Sequence, residues 1–305
     1  MGDFLEVEVR PPWPYRMPRG GRGDGVMRIH AGAVVRLLHI DGEPVIVRVC
    51  QRRGGEVCFR AGGGNAEQRE RAIERMRFAT AVDDDLSAFH REFKDDPFLG
   101  PAIRHRPWIR VKRRPFAWEA LAWAVTEQLI ESSHAAQIQR AMVRRWGRKC
   151  ERWSGPGPLR DVPTAADVAE RSQPELQACD LSAARSLALI RCAQEVVAGR
   201  VDPADPQDDV RLLKIREIGP WTLQCLGSFG RGDADSLPAG DLAYVKFVGV
   251  AANLGRRAMV DEVEDFYARY APFRALAGLF SLSHYGARFG AAARGLPHAP
   301  DALAA

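Results

Sequence analysis

One acid, one indole and one turn in the last third of the chain have the types and spacing to do chemistry. Between Leu212 and Leu242 the sequence reads LLKIREIGPWTLQCLGSFGRGDADSLPAGDL. It predicts a helix end, a tight turn at Ile218-Gly219, a second helix opened by Pro220, and a loop that delivers Asp241. A helix that begins after a turn leaves its first backbone N–H groups unpaired, a ready site for a phosphate. Gly219 lets the backbone come close to such an anion, and proline at the first helical position wastes no donor. Asp241 follows Trp221 by twenty residues, in Pro238-Ala239-Gly240-Asp241. Both side chains also have a plain structural reading. Asp241 precedes the apolar run Leu242 to Leu254 and would cap that helix, and Trp221 would be a core aromatic. Taken alone, these residues leave cap or catalyst, core or platform, open.

Composition narrows the class. A chain of 305 residues can build two or three modules and a sizeable core. With 46% hydrophobic and 27% charged residues it has the balance of an ordinary soluble protein. A net charge of +5 and a pI near 9.0 suit a nucleic-acid partner without requiring one. No apolar run approaches the roughly 18 residues of a membrane span, and Met1 to Arg10 lacks the apolar stretch of a signal peptide. The six cysteines (Cys50, Cys58, Cys150, Cys179, Cys192 and Cys225) show no C-x-x-C spacing. They read as reduced core residues of a cytoplasmic protein, with no zinc or iron–sulfur site. No H-E-x-x-H or G-x-S-x-G is present, which argues against zinc and serine hydrolases.

The elements that must position the site follow in order. Val34 to Ile40 and Val45 to Cys50 read as strands joined by the turn Asp41-Gly42, and Glu56 to Arg60 follows after Gly54-Gly55. The glycine-rich Gly20 to Gly25 reads as loop, and Asn65 caps a polar helix carrying Ile73, Met76 and Phe78. From Pro115 the pattern is helical. Helices are predicted over Phe116 to Ile130, His134 to Trp146, after Pro163 with Thr164 as cap, from Pro174 to near Cys179, and over Ser182 to Ala198 with Gly199 as stop. Asp209 to Ile215 leads into the hairpin, and two more helices follow at Leu242 to Leu254 and Pro272 to Tyr285. The alanine-rich tail after Gly290 is expected to be loosely ordered. The basic run Arg104 to Arg114 (RHRPWIRVKRR) reads either as a solvated face or as a set of phosphate contacts.

The hairpin, the Gly/Pro-rich loop and its aspartate together resemble the helix-hairpin-helix DNA glycosylases, and within them the 3-methyladenine DNA glycosylase II family. The resemblance runs roughly from Arg10 to Tyr285, with its parts in the family's order. Gly25-Val26 and Ala33 to Val49 resemble the N-terminal domain. Phe116 to Ala136 (PFAWEALAWAVTEQLIESSHAA) is similar to the buried helix with its glutamine-rich end, and Pro163 to Asp202 to the segment before the hairpin. The implied fold is α+β, a small β-rich N-terminal domain followed by an all-α body of two subdomains. The expected boundaries are a β-rich domain at 1–88, a helical domain with the hairpin at 113–232, and a second helical subdomain from 89–112 and 233–295 that carries the catalytic aspartate. Some relatives of this kind hold a four-cysteine cluster near the C-terminus. No cysteine follows Cys225, so that cluster is excluded.

The resemblance implies release of a damaged base from double-stranded DNA. The base is flipped out of the stack, and an oxocarbenium-like transition state forms on the sugar beside a fixed carboxylate, Asp241. Whether that carboxylate also activates water stays open. Glycosylases of this superfamily that also cut the backbone carry a lysine where this chain has Trp221. A base-releasing enzyme without lyase activity is therefore expected, excising alkylated purines of the 3-methyladenine and 7-methylguanine type. Trp221, Cys225 and Leu282 are the expected base pocket, with Trp221 stacking on a cationic base. Gln128, Leu129, Ile218, Gly219, Trp221 and Thr222 are the expected DNA contacts, Leu129 as the wedge that fills the vacated stack. No cofactor and no catalytic metal is expected, although the hairpin could hold a monovalent cation. The partner is damaged duplex DNA, with no membrane and no protein partner, and the location is cytoplasmic and DNA-associated. Three positions depart from the family's pattern: Glu217 replaces the first hairpin glycine, and Cys225 and Leu282 replace frequent pocket aromatics. Two other readings stay open, a DNA-binding homologue that has lost its activity and a glycosylase for a deaminated base.

Overall fold

The computed structural model describes residues 3–17, 23–151, 153, 155–293 and 296–297. Gly20 to Arg22 and the end of the alanine-rich tail, both expected to be irregular, lie outside the described residues. Five strands, β1 (Phe4–Val9), β2 (Met27–His30), β3 (Ala33–Ile40), β4 (Glu43–Gln51) and β5 (Val57–Gly63), form one antiparallel sheet in the order β1-β5-β4-β3-β2. The β3–β4 hairpin turns at Asp41 and Gly42, both at positive φ (51° and 87°), as an Asp-Gly pair requires. One face of the sheet is covered by α1 (Ala66–Thr80), which Asn65 and Gln68 open with a reciprocal capping box. Val45, Val47, Val49, Val57 and Phe59 meet Ala72, Ile73 and Met76 there, out of water.

The remainder is helical. After α2 (Ser87–Phe93) and α3 (Leu99–His105) come α4 (Ala117–Glu127), α5 (Ser132–Trp146), α6 (Ala165–Ala169), α7 (Gln173–Gln177) and α8 (Ala183–Val197). The chain then runs through α9 (Asp209–Leu212), α10 (Pro220–Cys225), α11 (Leu242–Ala251), α12 (Val260–Ala268) and α13 (Arg274–Ala293). A π-helical turn, Leu226–Arg231, prolongs α10. Two apolar cores result. One gathers Leu121, Trp123, Leu189, Leu212, Ile218 and Leu226; the other gathers Phe89, Leu99, Tyr267, Tyr270 and Phe280. Phe229, on the π-helical turn, packs against both. This is the expected α+β architecture. Three helices, α2, α3 and α12, and two strands, β1 and β2, were not foreseen from the sequence. Two predicted helices end early, α4 at Glu127 and α11 at Ala251, whereas α13 runs on to Ala293.

Buried ion pairs join the sheet to the helices. Arg36 on β3, fully buried, donates to Glu119 on α4 and to Asp161, both at 2.9 Å. Arg114 pairs with Asp24 and Glu119, and the Trp123 indole donates to Asp24 at 3.1 Å. Removing one member of such a set strands a buried charge, at a cost of about 3–5 kcal/mol. Most arginines of the basic run Arg104 to Arg114 are engaged by the protein itself, although Arg104, Arg106 and Lys112 are exposed. Arg104 donates to the Lys94 carbonyl, Arg106 to that of Ser283 and Arg110 to those of Trp13, Pro14 and Asp84, and Arg113 pairs with Asp84.

Candidate active site at the helical hairpin

The hairpin presents backbone rather than side chains. From Leu212 the chain turns through Ile215 N–H to the Leu212 carbonyl (2.9 Å) and Ile218 N–H to the Ile215 carbonyl (3.0 Å). Gly219 then caps α10 with Pro220 at its first position. Ile218 is buried in the first core, and the buried Thr222 hydroxyl accepts from Gln128, so neither side chain is offered to a ligand. A Cβ added to Gly219 would meet no protein atom within 4 Å, so the turn faces open space. Glu217 sits at φ 73°, a left-handed conformation that favours the glycine expected at this turn. Its carboxylate lies 3.5 Å from Arg216 Nε.

Leu129 follows the end of α4 at φ 56°, with its side chain fully exposed. A left-handed leucine costs about 1–2 kcal/mol, and an exposed one gains nothing from burial. Gln128 before it is held by the protein: its Nε2 donates to the Glu217 carbonyl (2.7 Å) and to Thr222 Oγ1 (2.9 Å). The amide expected to contact DNA instead ties the Leu129 loop to the hairpin.

Asp241 caps α11, its Oδ1 accepting from Ala243 N–H at 2.8 Å. Capping and a reactive role are compatible, since the cap uses one oxygen of two. Trp221 lies beside the Asp241 loop: a Cβ built on Gly240 would stand 3.8 Å from Trp221 Cδ1. Asp241 also acts electrostatically on Glu127, Cys225 and Tyr244, so these groups share one neighbourhood.

A cleft of about 200 Å³ opens beside them, lined by Lys112, Arg114, Trp123, Glu127, Cys225 and Phe229 with Ala120 and Ala124; Cys225 belongs to this lining, whereas Trp221 and Asp241 do not. Burial, then the charges of Glu127 and Asp241, push the Cys225 thiol well above its ordinary range. It is thus a small neutral wall and not a nucleophile. Burial likewise raises Glu127, against the opposing pull of Arg114 and of the Gln139 amide. Leu282 packs on the second core and is absent from this lining. Glu127 and Lys112 escaped the sequence reading; the acid adjacent to Gln128 was the available signal. Among the described residues no cluster of three or more His, Cys, Asp or Glu could hold a metal, and no helix is long and apolar enough to cross a membrane.

No family model matches the chain. A DNA-3-methyladenine glycosylase of Bacillus subtilis (strain 168) is 23% identical over 224 residues, 70% of this chain and 72% of that protein. The 3-methyladenine DNA-glycosylase of Archaeoglobus fulgidus superposes with a TM-score of 0.80 at 18% identity, over 93% of this chain and 99% of that one. The 8-oxoguanine glycosylase/lyase of Clostridium acetobutylicum, in its apo form, gives 0.70 at 16% identity, over 92% and 98%. The chain is therefore similar in sequence to a DNA-3-methyladenine glycosylase over most of its length, and it shares its fold with solved DNA glycosylases.

Proposed function

We propose that the protein is a monofunctional DNA N-glycosylase that extrudes alkylated purines from duplex DNA and hydrolyses their glycosidic bond in base-excision repair. The observation that carries the reading is the meeting of Trp221 with the Asp241 loop at the mouth of the hairpin. It brings the Trp221 indole beside the loop that carries the Asp241 carboxylate. The N–H groups of α10 hold a backbone phosphate and fix the duplex without reading its sequence. Leu129, exposed and strained, enters the stack as the base leaves. The base stacks on Trp221 while Asp241 stabilises positive charge developing on the sugar. Trp221 in place of an amine leaves the helix with no Schiff-base nucleophile at that position. A hairpin-bound monovalent cation would add to phosphate binding without joining the reaction.

The test is single-turnover release of bases from duplexes carrying 7-methylguanine, 3-methyladenine or hypoxanthine. Release of the two cationic bases in preference to hypoxanthine is expected. Release of none would leave a DNA-binding homologue, and release of hypoxanthine alone would make the substrate a deaminated base.

A further inference from the structure

The cleft contains an acid that the chemistry above does not use. Glu127 ends α4 with its side chain 35% exposed, and it lines the cleft beside Cys225 and Phe229. Its position is built from behind. Gln139 Nε2 donates to Glu127 Oε1 at 3.0 Å and to Thr126 Oγ1 at 3.0 Å. Arg114 Nη2 stands 4.0 Å from the same Oε1, and Arg114 is itself fixed by Asp24 and Glu119. These contacts of the carboxylate all involve Oε1, which leaves Oε2 without a partner among them on a side chain that lines the cleft.

We propose that Glu127 is a specificity-determining residue that hydrogen-bonds the extruded base and selects guanine-type purines. This rests on the glycosylase reading of the same site. The argument is one of donors and acceptors. The Watson–Crick edge of 7-methylguanine offers two adjacent donors, N1–H and the 2-amino group, which a carboxylate accepts. The corresponding edge of 3-methyladenine offers one donor, the 6-amino group, next to the N1 acceptor, and that acceptor repels a carboxylate. An amide matches the adenine edge, with one donor and one acceptor. The surroundings favour the assignment. The wall at Cys225 is small and neutral and Phe229 is apolar, so Glu127 is the carboxylate acceptor of the lining. Lys112 and Arg114, the cations lining it, supply donors for O6, the acceptor on the same edge of guanine.

Glu127→Gln tests this, since the amide keeps shape and keeps an acceptor for Gln139. Single-turnover release is measured for 7-methylguanine and 3-methyladenine with wild type and variant, alongside thermal melting and duplex affinity. The expected result is a fall of about tenfold or more in the 7-methylguanine to 3-methyladenine rate ratio, with melting and affinity unchanged. A structural role would slow both bases together and leave the ratio alone, which overturns the proposal. Titration of the intrinsic tryptophan fluorescence with free 7-methylguanine gives a readout independent of turnover, and weaker binding by the variant is expected. Release by wild type with an unchanged ratio in the variant sinks this inference alone. Release of neither base by wild type sinks the functional reading and this inference with it.

Discussion

Gln128 donates its side-chain amide to the backbone carbonyl of Glu217 at 2.7 Å, fastening the loop of Leu129 to the turn of the hairpin. The bond clamps two left-handed residues, Leu129 and Glu217, onto one edge of the site. Glu217 also puts a carboxylate beside the amides that a phosphate would use. Glu217→Gly relieves the left-handed strain, partly offset by the greater freedom of glycine in the unfolded chain, for a net gain of about 0.5–1 kcal/mol. Removing the charge tightens duplex binding at low salt. Chemical denaturation and a salt titration of affinity check both effects. A variant that is less stable and binds no better would mean that the side chain makes a contact of value.

Asp241→Asn separates the two roles of the acid. Asparagine caps helices as well as aspartate, so the bond to Ala243 N–H and the stability of α11 persist. Base release is expected to fall by at least 100-fold, as for loss of a preorganised electrostatic group, with duplex affinity equal or higher. Turnover near the wild-type rate would return Asp241 to capping alone.

Absence of lyase chemistry has its own test. With Trp221 at the hairpin position, borohydride is expected to trap no covalent protein–DNA adduct, and strand breakage to require added base. The structure singles out Lys112 as an amine that lines the cleft. An adduct lost in Lys112→Ala would assign bifunctional chemistry to that residue.

The sequence made the site legible where local chemistry is strong. Pro220, Gly219 and the caps at Asn65, Thr164 and Ser182 stand where their types predict, because a cap depends on a few adjacent atoms. Contacts between distant segments were not legible. Nothing adjacent to Gln128 announces the hairpin that folds against it 89 residues on, and nothing adjacent to Glu127 announces the Cys225 that shares its cleft. The strand β1 was missed although its FLEVEV alternation has the period of two, because the paired β5 lies more than 45 residues away. The short helices α2 and α3 have few turns over which a 3.6-residue period could show.

Acid lability follows from His90 on α2. The ring is buried against Trp13 at 4.6 Å and near Phe89 and Phe280. Burial, then the charge of Arg110, push it down from 6.5 to about 4. The folded state therefore binds fewer protons than the unfolded chain between those values. The stability contributed by the neutral ring is complete above about pH 6.5 and is lost as pH falls towards 4, by up to roughly 3 kcal/mol. His90→Phe keeps the aromatic packing and removes the titration. Urea denaturation at pH 7 and pH 4.5 is expected to show a smaller acid loss in the variant; equal losses would place the lability elsewhere.

Trp221 decides between charged and neutral substrates. Cation–π attraction contributes about 0.5–2 kcal/mol depending on desolvation, equivalent to a few-fold up to about thirty-fold in rate. It acts only on a cationic base, whereas ordinary stacking acts on both kinds. Trp221→Ala should therefore slow release of 3-methyladenine and 7-methylguanine more than that of hypoxanthine. Cys225 and Leu282, standing in place of aromatics, offer no second face to compensate, and Leu282 is turned into the second core. The substitution also removes an indole that packs on Gly240, so some loss common to all three bases is expected from a looser Asp241 loop. The charge-dependent part is the ratio between cationic and neutral bases, measured in single-turnover reactions with wild type and variant. If that ratio holds constant while all rates fall, the indole serves the loop and the preference for alkyl cations has another source.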